Sequence, residues 1–225
     1  MHLGNIWVAL LSDLAVHAAG GLQILRIEDL DLARSSADYA WQLAQDLRWL
    51  GLPADLGQPP QPLICQSART DLYMDVFASW QARDLVYPCY CRRADLLSAA
   101  APHADDGHRI YTGTCRPENR QGPAPQRAPA WRLRVPDTIM SFTDQIAGVQ
   151  VMRLNLEWGD FIVRRADNGF AYQMACAVDD AGMGVDLVVR GHDLLASTFP
   201  QLLIFQLLGR KAPAYAHVPL LVDPA

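Results

Sequence analysis

The chain has 225 residues, 51% of them hydrophobic and 19% charged, with a formal net charge of −5. That apolar content supplies a buried core and excludes a disordered chain, and the negative balance excludes a uniformly basic nucleic-acid coat. At a prior of about 150 residues per domain, the length suits one large domain or one domain carrying an insertion. Lys211 is the only lysine, so any chemistry that needs a lysine has a single candidate. No stretch approaches the ~20 apolar residues of a membrane span, and Met1 to Gly4 carries no cationic leader. The expectation is a cytoplasmic monomer with no membrane partner. Cys65, Cys89, Cys91, Cys115 and Cys176 are an odd count and cluster along the chain, which suits a reduced compartment and a metal better than a disulfide frame.

In chain order, Leu3, Ile6, Trp7, Leu10, Leu11 and Leu14 recur at helical spacing over residues 3–19, and Gly20-Gly21 stops that helix. Leu22 to Ile27 reads as a short buried strand running into the acidic turn Glu28-Asp29-Leu30-Asp31. Residues 37–50 form a second helix with Ala40, Leu43, Leu47 and Leu50 on one face. Pro53 to Pro62 is a loop, and Ser67 is the expected N-cap of a helix reaching about Arg83. From Tyr87 to about Trp131 the chain holds three of the cysteines and six prolines but no long periodic run, the texture of an inserted subdomain that needs a staple. Afterwards Phe161–Arg164, Ala171–Val178 and Leu187–Val189 read as strands. Thr198–Leu208 reads as a helix capped by Ser197 or Thr198 and ended by Gly209. The alternation predicts an α/β sheet domain split by the insertion.

Four constellations carry chemistry. Cys89-Tyr90-Cys91 and Cys115 offer three thiolates for Zn²⁺, which needs a fourth ligand. His103, His108 and Tyr111 are at hand, and imidazole is the usual choice. Glu28 follows a strand, where ligands of open α/β sheets gather, and its carboxylate could face an ammonium group; a solvated capping turn is the plainer alternative. Arg190, in Val189-Arg190-Gly191-His192-Asp193, is suited to bidentate carboxylate binding, or to a structural pair with Asp179, Asp180 or Asp193. His2-Leu3-Gly4-Asn5 opens a helix, whose free amides and dipole suit a phosphate.

Together these segments resemble the glutamyl branch of the class I aminoacyl-tRNA synthetases. His2-Leu3-Gly4-Asn5 is similar to the HIGH motif. Gly20-Gly21 through Leu25-Arg26-Ile27-Glu28-Asp29-Leu30-Asp31 and Arg34 is similar to that family's Gly-Gly…Leu-Arg-Ile-Glu-Asp-Thr-Asp segment. Asp46-Leu47-Arg48-Trp49-Leu50-Gly51, Gln66-Ser67, Gly159-Asp160-Phe161, Tyr172-Gln173, Val178-Asp179-Asp180, Val189 to Leu195 and His217-Val218-Pro219-Leu220-Leu221 follow in order. The Cys-x-Cys…Tyr-x-x-x-Cys spacing resembles the short subfamily without an anticodon-binding domain, which modifies queuosine in tRNA(Asp).

The resemblance implies a Rossmann-type catalytic domain with a parallel sheet, its first half at residues 1–86 and its second at 136–225, interrupted by a zinc-bearing insert at 87–135. It implies a ligase-type reaction in which ATP, with Mg²⁺, and L-glutamate give glutamyl-adenylate, followed by transfer to queuosine in the anticodon of tRNA(Asp). The alternatives are part of an enzyme charging tRNA(Glu), or a non-catalytic zinc-bearing remnant that binds RNA or glutamate. By the same resemblance Glu28 would meet the α-ammonium of glutamate, Tyr172 and Arg190 its polar and carboxylate ends, and His2 and Gly4 the ATP phosphates. One structural zinc would sit on Cys89, Cys91, Tyr111 and Cys115. The family's Phe-Ala-Pro-Ser-Pro-Thr-Gly run before His2 and its KMSKS-type loop after Leu221 are absent from the sequence, so the chain as given is expected to adenylate poorly. Residues 109–134 hold six arginines against Glu118, a local balance of +5, and are expected to help hold tRNA.

Overall fold

The computed structural model describes residues 2–31, 35–92 and 110–221. Helix α1 (Leu3–Ala19) ends at Gly20, whose φ of 64° is the left-handed conformation that closes a helix. Strand β1 (Arg26–Ile27) is shorter than the apolar run suggests. It pairs in parallel with β2 (Ile64–Cys65), and Ile24 adds a single bridge to Leu56. Between them, α2 (Ala37–Trp49) starts at Ser36, whose Oγ accepts the Asp38 amide at 3.2 Å, and it buries Ala44 and Leu47.

A 3-10 turn (Gln66–Arg69) leads into α3 (Thr70–Ala82). Ser67 does not cap this helix. Its Oγ donates to Asp29 Oδ2 at 2.6 Å and its amide to Asp29 Oδ1 at 2.8 Å, so the hydroxyl ties the turn after β2 to the turn after β1. Tyr73, Phe77 and Trp80, spaced by four and three, form the buried stripe of α3.

Strands β3 (Val86–Cys89), β4 (Ala130–Leu133) and β7 (Phe161–Arg164) make an antiparallel sheet in the order β3-β4-β7. The chain therefore leaves β3 and returns as its hydrogen-bonded neighbour. Next comes a hairpin the sequence reading passed over, β5 (Ile139–Asp144) with β6 (Gly148–Arg153). A short helix α4 (Leu154–Glu157) precedes β7.

The segment read as a strand at 171–178 is instead helix α5 (Tyr172–Met183). Seven of its residues are buried on every side. A helix enclosed in this way shows a continuous apolar run rather than a stripe, and such a run cannot be told from a buried strand by pattern. Strand β8 (Leu187–Gly191), helix α6 (Thr198–Leu208) and strand β9 (Ala214–Val218) then form a β-α-β unit with parallel strands, and their four-stranded sheet has the order β6-β5-β9-β8. α1 packs on β8, and Trp7 Nε1 donates to the Pro219 carbonyl at 3.1 Å.

The main core joins α3, α5 and α6. Tyr73 meets Phe170 edge-on at 5.5 Å between ring centroids, Phe77 meets Trp131 at 5.4 Å, and Met174, Ile204 and Phe205 fill the centre. Among the described residues no helix is long and apolar enough to cross a membrane.

Candidate active site and metal centre

Arg190 sits on β8 with only 8% of its surface exposed. Its Nε donates to His217 Nε2 at 3.0 Å, one terminal nitrogen to Gln201 Oε1 at 2.9 Å and Tyr172 Oη at 3.3 Å, and the other to Thr198 Oγ1 at 2.7 Å. The Tyr215 ring lies 5.2 Å from the guanidinium carbon. Every one of these partners is neutral. Among the described residues no carboxylate reaches this guanidinium, so the structural pair with Asp179, Asp180 or Asp193 does not form.

Asp179 and Asp180 are engaged elsewhere. Asp179, fully buried, takes Arg69 Nε at 2.6 Å, the Tyr73 hydroxyl at 2.7 Å and Gln66 Nε2 at 3.1 Å. Asp180 pairs with Arg26. Burial pushes the Asp180 carboxyl up, and Arg26 opposes that shift. Glu28 lies beside them, 3.3 Å from Arg26, with its side chain 43% exposed. Cys176, one turn beyond Tyr172 on α5, donates its thiol to Glu28 Oε1 at 3.1 Å. Burial, with Glu28 adjoining, holds that thiol well above its ordinary range, so it stays protonated. Two arginines thus face three carboxylates, one negative charge in excess on the side of Glu28, while Arg190 is a positive charge without an anion among the described residues. Tyr172 bridges the two groups: it accepts from Arg190, and burial, then the neighbouring Cys176, push its phenol up.

His2 and Gly4 stand at the start of α1. The His2 amide donates to Asn5 Oδ1 at 3.3 Å, and a side chain at Gly4 would press on the His2 ring at 3.1 Å. They are joined to the site through the packing of α1 on β8, the strand that carries Arg190.

The thiols of Cys89, Cys91 and Cys115 converge, with all three sulfurs within 4.8 Å of one another. The Tyr111 hydroxyl lies 3.6 Å from Cys89 Sγ and 3.8 Å from Cys91 Sγ, and it accepts the Cys115 amide at 2.6 Å. His103 and His108 lie outside the described residues. Burial and the adjacent thiols push Cys91 up to about 12. Against burial, amide and side-chain donors hold Cys115 below its ordinary value. Three sulfurs and a phenolic oxygen around one point are a donor set suited to a thiophilic cation. Arg132 flanks it, donating to Cys89 Sγ at 3.3 Å and stacking 3.8 Å above the Tyr111 ring.

The arginine-rich arm is less free than its composition suggests. Arg116 makes a two-pronged pair with Asp160 at 2.6 and 2.7 Å, Arg132 is committed to the cysteine cluster, and Arg134 pairs with Glu118 at 2.6 and 2.9 Å. Arg120 lies 5.5 Å over the Tyr90 ring, and Arg109 is outside the described residues.

Comparison with known proteins meets this geometry. The family described as tRNA synthetases class I (E and Q), catalytic domain, matches residues 1–225. A protein of Symbiobacterium thermophilum named Glutamyl-Q tRNA(Asp) synthetase is 48% identical over all of this chain and 72% of its own length. One of the same name from Nitratidesulfovibrio vulgaris is 45% identical over 99% of this chain and 71% of its own. The chain belongs to the class I tRNA synthetases, in the glutamyl-Q tRNA(Asp) synthetase branch. It is a catalytic domain of a ligase family that forms glutamyl-adenylate. In structure it is similar to a glutamate tRNA ligase of Elizabethkingia meningosepticum solved in complex with its amino acid, with a TM-score of 0.82 and 25% identity. The Elizabethkingia anophelis glutamate-tRNA synthetase gives the same score at 26%. The chain spans about half the length of those two structures, 48% of each.

Within this synthetase fold, sequence reasoning left several residues without a role. Asp144 and Gln201 carry no motif chemistry on their own, Thr198 reads only as a candidate helix cap, and Asp160 and His217 stand out only as parts of resembling runs. A single cue was available for Asp144: an aspartate just before a glycine-bearing hairpin turn commonly accepts the turn's amides.

Proposed function

We propose that the protein activates L-glutamate with ATP, giving glutamyl-adenylate and pyrophosphate, and transfers the glutamyl group to queuosine in the anticodon of tRNA(Asp). The observation that carries this reading is the buried Arg190 guanidinium, held among the described residues only by neutral groups. A buried cation without an anion is costly, and a ligand carboxylate would relieve that cost. Arg190, oriented by Tyr172, would take a carboxylate of glutamate. Glu28, on the side with excess negative charge, would take its α-ammonium. Glutamine would leave the guanidinium unmatched, which sets the preference for glutamate.

His2 and Gly4, at the N-terminus of α1, would face the ATP phosphates, where free amides and the helix dipole favour negative charge. Mg²⁺ would accompany ATP. No covalent enzyme intermediate is needed: the side chains bind and orient the carboxylate and the phosphate, and electrostatic stabilisation lowers the barrier. Residues 1–86 and 136–225 are read as the two halves of the catalytic domain and 87–135 as the insert. Cys89, Cys91, Tyr111 and Cys115 would hold one structural zinc, whose chemistry is to tie the start of the insert to its Tyr111–Cys115 segment. The queuosine acceptor rests on the names of the relatives.

The test is glutamate-dependent ATP–pyrophosphate exchange on the full-length gene product, with and without tRNA. Exchange without tRNA, followed by labelling of queuosine-containing tRNA(Asp), is the expected result. Charging of tRNA(Glu) instead would assign it to the discriminating synthetases, and no glutamate-dependent exchange in either condition would remove the activity.

A further inference from the structure

Asp144 closes β5 at the hairpin turn, and His217 lies on the neighbouring strand β9. Both side chains are fully buried. Asp144 Oδ1 accepts the amides of Ile146 at 3.0 Å and Ala147 at 2.8 Å, and Oδ2 lies 2.6 Å from His217 Nδ1. The far ring nitrogen, Nε2, is 3.0 Å from Arg190 Nε. An arginine nitrogen can only donate. Nε2 must therefore present its lone pair, and the single imidazole proton sits on Nδ1, facing Asp144. Tyr215 stacks on the ring with its centroid 6.0 Å away, and Phe142 adds a second apolar wall at 6.4 Å.

We infer that Asp144 and His217 are positioning residues of the glutamate site: the carboxylate fixes the imidazole as its Nδ1–H tautomer, and the imidazole pins Arg190 through Nε. The device has a physical purpose. A carboxylate bonded directly to Arg190 would orient it but also neutralise it. Interposing a neutral imidazole keeps the orientation and leaves the guanidinium charge for the substrate. This inference rests on Arg190 being the carboxylate anchor.

Replacing Asp144 by asparagine converts the acceptor into a group that can donate to Nδ1. The ring then carries its proton on Nε2, donor against donor with Arg190, the same tautomer logic known for Asp–His pairs elsewhere.

The experiment uses the full-length gene product. Nitrogen-15 spectra of histidine-labelled wild type at neutral pH should show His217 as the Nδ1–H tautomer. Calorimetry with L-glutamate, L-glutamine and ATP then compares variants. Asp144→Asn should weaken L-glutamate binding about tenfold, the scale of one misplaced charge-assisted bond, narrow the preference over glutamine, and leave ATP affinity unchanged. His217→Gln keeps an acceptor and should bind glutamate within a few-fold of wild type. His217→Leu, which keeps the bulk alone, should lose about tenfold. An Nε2–H tautomer in the wild type, or equal glutamate affinity in the Leu and Gln variants, overturns the inference. If Arg190→Ala still loses glutamate in that case, the site reading stands without its relay. If Arg190→Ala binds glutamate normally, the site reading itself has failed.

Discussion

Asp160 and Arg190 are both buried, and they treat charge in opposite ways. At the seam of β3, β4 and β7, Asp160 is 2% exposed and takes both prongs of Arg116, the Tyr87 hydroxyl and the Val135 amide. Its charge is matched within the protein. On β8, Arg190 makes as many hydrogen bonds, to partners none of which is charged. The first arrangement ties the Arg116 segment between β3 and β4 to the start of β7. The second leaves a positive charge with no anion among the described residues. Burial and bond count alone do not separate an architectural ion from a binding one; the charge of the partners does.

Removing Arg190 should have the largest effect on function. Arg190→Ala is expected to lower glutamate-dependent pyrophosphate exchange by about a hundredfold or more, the scale of losing a buried charge-assisted carboxylate contact, with the melting temperature little changed. Exchange at the wild-type rate would break the contrast. Removing Asp160 should act on the fold instead. Asp160→Asn leaves Arg116 without its partner and should cost about 3 kcal/mol in urea unfolding, with glutamate affinity changed far less; a loss below about 1 kcal/mol would show that the seam is not held by charge.

Metal removal sharpens the seam from its other side. Treatment with a strong chelator should make Cys89, Cys91 and Cys115 reactive towards a thiol reagent and lower the melting temperature by several degrees. If thiol reactivity does not change, the cluster holds no metal.

A pH dependence should follow from His217. Burial holds its folded-state pKa below the ordinary 6.5, against the pull of Asp144 and with the help of Arg190 and His192. Below pH ~6.5 the unfolded chain therefore binds a proton that the folded chain refuses, and stability falls as the pH drops through that range. Burial raises Asp144, but the amides of Ala147, Ile146 and His217 and the imidazole hold it below its ordinary value. Its contribution is present above pH ~4 and is lost only at lower pH. Melting curves of wild type and His217→Gln should differ in slope between pH 7 and 5, and parallel curves would count against the assignment. The smallest effect is expected at the arm. Neutralising Arg120 and Arg127 should weaken tRNA binding a few-fold and reduce its salt dependence by no more than about two phosphate contacts. Equal affinity would remove the arm as an RNA contact.

Local elements with two strong signals were legible. α1 and α6 carry dense leucine content and a terminal glycine in the left-handed conformation, and their spans match the expected 3–19 and 198–208. α5 was misread because enclosure on all sides removes the stripe that marks a helix. The β5–β6 hairpin went unread although its burial alternates along β5 and β6. Ser67 shows the limit of capping rules: a hydroxyl aimed at Asp29, 38 positions away, is unavailable to its own helix.

By itself the sequence determined the family, the order of the motifs and the clustering of the three cysteines, because these rest on residue type and near spacing. Only the tertiary structure decided which charges are matched. Asp144 and His217 stand 73 positions apart, and Arg116 and Asp160 stand 44 apart. No local pattern records which carboxylate a guanidinium meets. That depends on which strands become neighbours, and long-range pairing set Arg190 among neutral groups while Arg26, Arg69 and Arg116 found their anions.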